Sequence, residues 1–124
     1  MADRRKALGA EGEAAACELL RKSGYRVLER NWRNRWGELD AVAWQDGQIV
    51  FVEVRARSSE DFGTPAESVT AGKRRRLVRM AQLYLQEKAA AEQSCRFDVV
   101  EMAPLAGGGW QGHVIRDAFA ADGR

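Results

Sequence analysis

Histidine is almost missing from these 124 residues: His113 is the only one. Counting alone therefore excludes zinc-hydrolase sites built on several imidazoles, and it leaves His113 as the one residue on which a histidine-dependent triad could be built. His113 falls in the last expected strand and reads as structural. Cysteine is scarce too. Cys17 and Cys95 lie far apart and form no CxxC pair, so zinc is not expected and a reducing, cytoplasmic compartment is. Residues 1–7 are charged and carry no apolar stretch, and no run elsewhere is long enough for a bilayer. Neither a signal peptide nor a membrane partner is expected. No charge of one sign dominates, since the formal net charge is +2; only local clustering can argue for a charged partner. What remains is an ordinary globular composition, 45% hydrophobic and 31% charged, with room for one domain over residues 1–124.

Hydrophobic periodicity predicts a helix over residues 3–23, with Leu8, Gly12, Ala15, Ala16, Leu19 and Leu20 on one face. Gly24 ends it. Strands follow over 25–32, 37–44 and 48–57, with a loop rich in Arg, Asn and Trp after the first. Thr64-Pro65-Ala66-Glu67 has the form of a helix start and opens a short turn. A second helix runs from 70 to about 91, with Leu77, Met80, Ala81, Tyr84 and Leu85 facing inward. Two last strands span 96–103 and 110–119, and Gly107, Gly108 and Gly109 mark the connection between them. Cys17 reads as a small helix-packing residue. The order is α-β-β-β-α-β-β, in a single α/β domain.

Asp46-Gly47 is the strongest hairpin signal in the chain, because a type I′ turn needs positive φ at both central residues. A two-residue turn there sets Gln45 against Gln48. Continued outward, one face pairs Ala43 with Val50, Ala41 with Val52 and Leu39 with Val54, and it is wholly apolar. The other face pairs Trp44 with Ile49, Val42 with Phe51, Asp40 with Glu53 and Glu38 with Arg55. Two carboxylates opposed across a ladder sit about 5 Å apart and repel, by roughly 3 kcal/mol at an effective dielectric of about 20. A divalent cation explains that cost, since Mg²⁺ is commonly held by one or two carboxylates plus phosphate oxygens. Arg55 points to the same face as Glu53 and would set a fixed cation beside such a metal, an arrangement that suits phosphoryl transfer. Spacing alone leaves two alternatives open. One is an ion cluster of Asp40, Glu53, Glu38, Arg55 and Arg57; the other is a proton shared between the two acids. Glu13 lies at the edge of the buried stripe of the first helix, within reach of the sheet or exposed.

Two basic stretches point to nucleic acid. Lys73, Arg74, Arg75 and Arg76, followed by Arg79, crowd the start of the second helix. Cations there oppose the helix dipole, and phosphates would relieve them. Arg30, Trp32, Arg33, Asn34, Arg35 and Trp36 interleave charge with aromatic rings, a mixture suited to backbone contact plus stacking on unpaired bases. A solvated helix face and tryptophans packed at the sheet edge are the plainer readings. No side chain is placed to read base edges, so recognition of backbone and shape is expected.

Gly12-Glu13, Asn31-Trp32-Arg33, Gly37-Glu38-Leu39-Asp40 and Phe51-Val52-Glu53-Val54-Arg55 together resemble the YraN family of bacterial proteins. Phe62-Gly63-Thr64-Pro65, Lys73, Leu77 to Leu85, Arg96-Phe97-Asp98-Val99-Val100 and Ala118-Phe119 continue the match over nearly the whole chain. That family is similar to archaeal Holliday-junction resolvases, with the restriction-endonuclease-like PD-(D/E)xK fold. The resemblance implies a nuclease core around a mixed sheet flanked by helices, often dimeric. It implies Glu13, Asp40 and Glu53 as metal-binding and catalytic acids, and Arg55 at the catalytic lysine's position. Leu39 replaces the motif's proline, and Arg55 replaces its lysine. Arginine stays protonated, so Arg55 can stabilise charge but is a poor base.

The leading expectation is a Mg²⁺- or Mn²⁺-dependent endonuclease-like protein acting on branched or structured nucleic acid, DNA before RNA. Arg33, Arg35, Arg57, Lys73, Arg74, Arg75 and Arg76 are its expected phosphate contacts. The rivals are a nucleic-acid-binding module that keeps the fold without catalysis, and an interaction protein whose ion cluster is structural.

Overall fold

The computed structural model describes residues 8–57 and 70–121. The order is α1 (Gly9–Lys22), β1 (Arg26–Asn34), β2 (Gly37–Gln45), β3 (Gln48–Ala56), α2 (Ala71–Glu87), β4 (Cys95–Pro104) and β5 (Trp110–Phe119). This is the α-β-β-β-α-β-β order read from the periodicity. The turn expected at Thr64-Pro65 and the Phe62-Gly63 motif lie outside the described residues, as do residues 1–7.

The five strands form one mixed sheet in the order β1-β2-β3-β4-β5. All neighbours are antiparallel except β3 and β4. Parallel neighbours need a long crossover, and α2 lies in it. Strand alternation puts Ile49 and Phe51 on one side of β3 with Leu77, Met80, Ala81, Tyr84 and Leu85 of α2. Val50, Val52 and Val54 go to the other side, with Leu8, Ala16 and Leu20 on and just before α1. The inward face of α2 matches the expected set residue for residue. Cys17 is buried against the sheet, as expected of a packing residue.

Asp46 and Gly47 take φ of 53° and 76°, the left-handed pair a type I′ turn requires. The register then runs as expected from Gln45–Gln48 to Ala41–Val52. There it stops, and the expected Asp40–Glu53 pair does not form as a ladder pair. The cause lies in the neighbouring strand. Asn31 takes φ of 54°, a left-handed conformation that Asn tolerates better than most residues. On either side of it, Arg30 pairs with Ala41 and Trp32 with Leu39. Leu39 and Trp32 belong to the α2 side, whereas Ala41 belongs to the α1 side. Both strands therefore change face at this step. Leu39 leaves the apolar face on which plain alternation puts it, and Asp40 turns toward α1.

The other correction concerns the loop after β1. The strand runs on to Asn34, and the connection is only Arg35–Trp36. Asn34 Oδ1 accepts from the amides of Trp36 at 2.7 Å and Gly37 at 3.1 Å, which closes the turn. Trp32 packs edge-on against Tyr84, with ring centroids 5.3 Å apart, and its indole donates to Glu87 at 3.2 Å. It serves the fold. Trp36 is 58% exposed, with the Arg35 guanidinium 4.7 Å above its ring.

Candidate functional site

Glu13 on α1 and Asp40 on β2 line one small pocket on the α1 side, together with Leu8, Cys17, Arg30, Asn31 and Val54. Glu13 is half-buried because its position edges the apolar stripe that seats α1 on the sheet. Asp40 is held in place by the backbone: its Oδ2 accepts from the Val54 amide at 2.7 Å. That amide points toward β2, where a continued ladder would have met it with a carbonyl, so the side chain replaces the interrupted strand pairing. Cys17 also borders the pocket, but burial pushes its thiol above the ordinary range, against the opposing pull of Arg30. A protonated thiol is a poor metal ligand, so the oxygen donors are what the pocket offers.

Glu53 is elsewhere. Its side chain is 1% exposed and ion-paired with Lys73 of α2, Nζ to Oε2 at 2.5 Å. It borders an apolar recess with Leu39, Phe51, Leu77 and Phe97 on the α2 side. Arg55, two residues on, is buried and lies in register with Glu101 of β4, also buried. By alternation all three share the α2 side. The structure thus brings Glu13 to Asp40 and brings Glu53 to Lys73 and Arg55. Asp40 reaches β3 at Val54, the residue next to Glu53. Among the described residues, no group of three His, Cys, Asp or Glu side chains converges as it would around a metal.

The basic residues divide as well. Arg75, Arg76 and Arg79 are exposed along the start of α2. Thr70 caps that helix, its hydroxyl accepting from the Lys73 amide at 3.2 Å, and no acid stands in the first turn. Arg74 is half-buried, 5.9 Å from the Phe119 ring. Arg35 is exposed at the β1–β2 tip, and Arg57 follows the end of β3 with its amide on the Met102 carbonyl at 2.8 Å. Arg33 pairs across the strands with Glu38 at 2.8 Å, which reduces what it offers a phosphate.

Two features escape a reading of the sequence. One is Glu101, whose only signal is an acid within the apolar run of residues 99–103 in β4. The other is a buried network on the α1 side. Asp98 Oδ2 accepts from the Tyr25 hydroxyl at 2.5 Å and from Arg96 Nη2 at 2.8 Å. Its Oδ1 accepts from Arg96 Nε at 2.9 Å and from the Asp117 amide at 2.9 Å. Arg96 Nη2 also donates to Gln45 Oε1 at 2.6 Å. Arg96 and Asp98 stand two apart in a strand and so share a face, which is the sequence signal for such a pair. Burial first, and then the bond to Asp98, push the Tyr25 phenol well above the usual tyrosine range. This network is structural: it ties Tyr25, just before β1, Gln45 of β2 and Asp117 of β5 to the Arg96–Asp98 pair of β4.

Comparison with known proteins places the chain. The profile described as "Uncharacterised protein family UPF0102" matches residues 12–102. The chain is 48% identical over 114 residues to a UPF0102 protein of Symbiobacterium thermophilum, covering 92% of this chain and 97% of that one. It is 58% identical over 96 residues to one of Moorella thermoacetica, covering 77% and 80%. A UPF0102 protein of Rhodococcus opacus is 44% identical over 115 residues, covering 91% and 96%. No helix among the described residues is long and apolar enough to cross a membrane. The chain belongs to the uncharacterised bacterial protein family UPF0102, the YraN family.

Proposed function

We propose that this protein binds branched or otherwise structured nucleic acid, DNA before RNA, and cleaves its backbone as a divalent-metal-dependent endonuclease with a restriction-endonuclease-like fold. The observation that carries this reading is the convergence of Glu13 and Asp40, from separate elements, in one pocket beside Arg30. Two carboxylates from protein are what Mg²⁺ commonly takes, with phosphate and water filling its other positions. The donor set of that pocket fits Mg²⁺ or Mn²⁺, held by Glu13 and Asp40. A metal held by Glu13, Asp40 and Glu53 together does not fit the present arrangement. When bound, the ion supplies Lewis-acid and water-activating chemistry. The Val54 amide holds the Asp40 carboxylate, and Arg30 puts a positive charge at the pocket for a phosphate oxygen. Arg74, Arg75, Arg76, Arg35 and Arg57 hold the nucleic-acid backbone.

A second reading, a binding module without cleavage, is favoured by one specific observation: Arg55 stands where the resembled motif has lysine, and it is buried. Both readings share the basic surface. Binding of unrelated DNA sequences should weaken steeply with salt. Arg74→Ala with Arg75→Ala should lower affinity equally for all of them and flatten the log–log salt slope by about 0.9 for each phosphate no longer neutralised. Fluorescence anisotropy at four salt concentrations measures this. An unchanged slope would return the α2 run to a solvated surface.

A further inference from the structure

We propose that Trp36 is the residue by which this protein recognises an unpaired base: its indole, at the tip of the β1–β2 hairpin, stacks on a nucleobase exposed where a duplex branches or opens. The inference rests on the nucleic-acid part of the proposed function and not on cleavage. The fold gives the two tryptophans of the basic stretch different tasks. Trp32 is spent on Tyr84 and Glu87. Trp36 follows β1 in the two-residue connection Arg35–Trp36 and is 58% exposed, the largest exposure of any large apolar side chain among the described residues. The tip that carries it is braced. Asn34 Oδ1 accepts from the amides of Trp36 and Gly37, and a Cβ added at Gly37 would meet the Met80 sulfur of α2 at 3.4 Å. A ring on a backbone closed in this way has little freedom left to lose on stacking.

The surroundings of the ring name its partner. Its neighbours in the chain, Arg33, Asn34 and Arg35, are polar, so the tip offers one π face among cations and not the contiguous apolar patch that a protein or bilayer partner takes. The Arg35 guanidinium lies over the indole, 4.7 Å from its centroid, and leaves a base to take the opposite face. Arg76 and Arg79 are exposed on α2 within one turn of Met80, the residue against which Gly37 lies. Phosphates held by these arginines therefore bring their bases to the tip. Base–aromatic stacking beside a positively charged track is how single strands are bound without regard to sequence. Inside a duplex both faces of each base are already stacked on neighbours, so the Trp36 ring gains a partner only where a base is unpaired.

Fluorescence anisotropy without divalent metal tests this on three DNAs: a paired duplex, the same duplex with a single-stranded flap, and that flap with abasic sites in place of its bases. The abasic flap keeps every phosphate and removes the stacking partner. The wild type should bind the natural flap more tightly than the abasic one by about 5- to 150-fold, the range that loss of one stacked base gives. Trp36→Ala should erase that preference and leave binding to the paired duplex unchanged, and Trp36→Phe should keep most of it. A wild type that binds natural and abasic flaps equally would overturn the inference while leaving the nucleic-acid reading in place; this comparison needs no variant to fold. A Trp36→Ala protein that keeps the preference, or that loses affinity equally for duplex and flap, would overturn it as well. A folded wild type that binds none of the three DNAs would contradict the nucleic-acid reading itself, and the inference with it.

Discussion

Asp98→Ala is expected to destabilise the fold by about 3–5 kcal/mol, the range found when one partner of a buried ion pair is removed. The substitution leaves the Arg96 guanidinium buried with Gln45 as its remaining side-chain acceptor besides the Tyr25 hydroxyl. It also strips the Tyr25 hydroxyl and the Asp117 amide of their acceptor. Against a total of about 5–15 kcal/mol for a domain, such a loss brings the chain near unfolding at ambient temperature. Tyr25→Phe removes one bond and keeps the ring, so about 1–2 kcal/mol is expected. Urea titration followed by circular dichroism compares the two. An Asp98→Ala loss below about 1 kcal/mol would mean that the network is not what ties β1, β4 and β5 together. The pH dependence has a sign. The Tyr25 phenol is raised above its ordinary value of 10.0, so the stability it adds is fully present below that value. It is lost as pH rises further, because the unfolded phenol ionises first.

Asp40→Asn is expected to abolish divalent-ion binding and metal-dependent cleavage while leaving the fold nearly as stable. The amide oxygen of Asn can still accept from Val54, so the interrupted ladder stays closed, and about 0.5–1.5 kcal/mol is the most that the change from carboxylate to amide should cost. Asp40→Ala is the contrasting variant: it leaves the Val54 amide without its acceptor at 2.7 Å and should cost about 1–3 kcal/mol. Calorimetric Mn²⁺ titration with parallel thermal melts separates the two effects. An Asp40→Asn protein that binds Mn²⁺ as the wild type does would remove Asp40 from the site.

The hairpin is legible in the sequence because its information is local. Asp46-Gly47 dictates the turn, the turn dictates the register, and the alternation of Val50, Val52 and Val54 against Ile49 and Phe51 dictates the two faces. The inner face of α2 is legible for the same reason, since helical periodicity alone selects Leu77, Met80, Ala81, Tyr84 and Leu85. Glu13 can be placed at the edge of its stripe but not in a pocket, because the partner that makes the pocket, Asp40, comes from another element. Plain alternation puts Asp40 itself on the wrong side of the sheet. A two-residue repeat carries no sign of the left-handed Asn31 in the neighbouring strand, where both strands change face. The same limit hides the Lys73–Glu53 pair: the cations at the start of α2 are plain in the sequence, but which of them turns inward depends on how the helix packs on β3. The Asp98 network needs the Phe97–Val99 irregularity opposite Asp117, which no spacing in the sequence announces.

Incubating the wild-type protein with linear, flapped and four-way DNA, each with Mg²⁺ and with Mn²⁺, tests the central claim most directly. The expected result is binding to the branched substrates with endonucleolytic cleavage that requires the metal and is absent in Asp40→Asn. Neither binding nor cleavage of any substrate, by a protein shown to be folded, would contradict it.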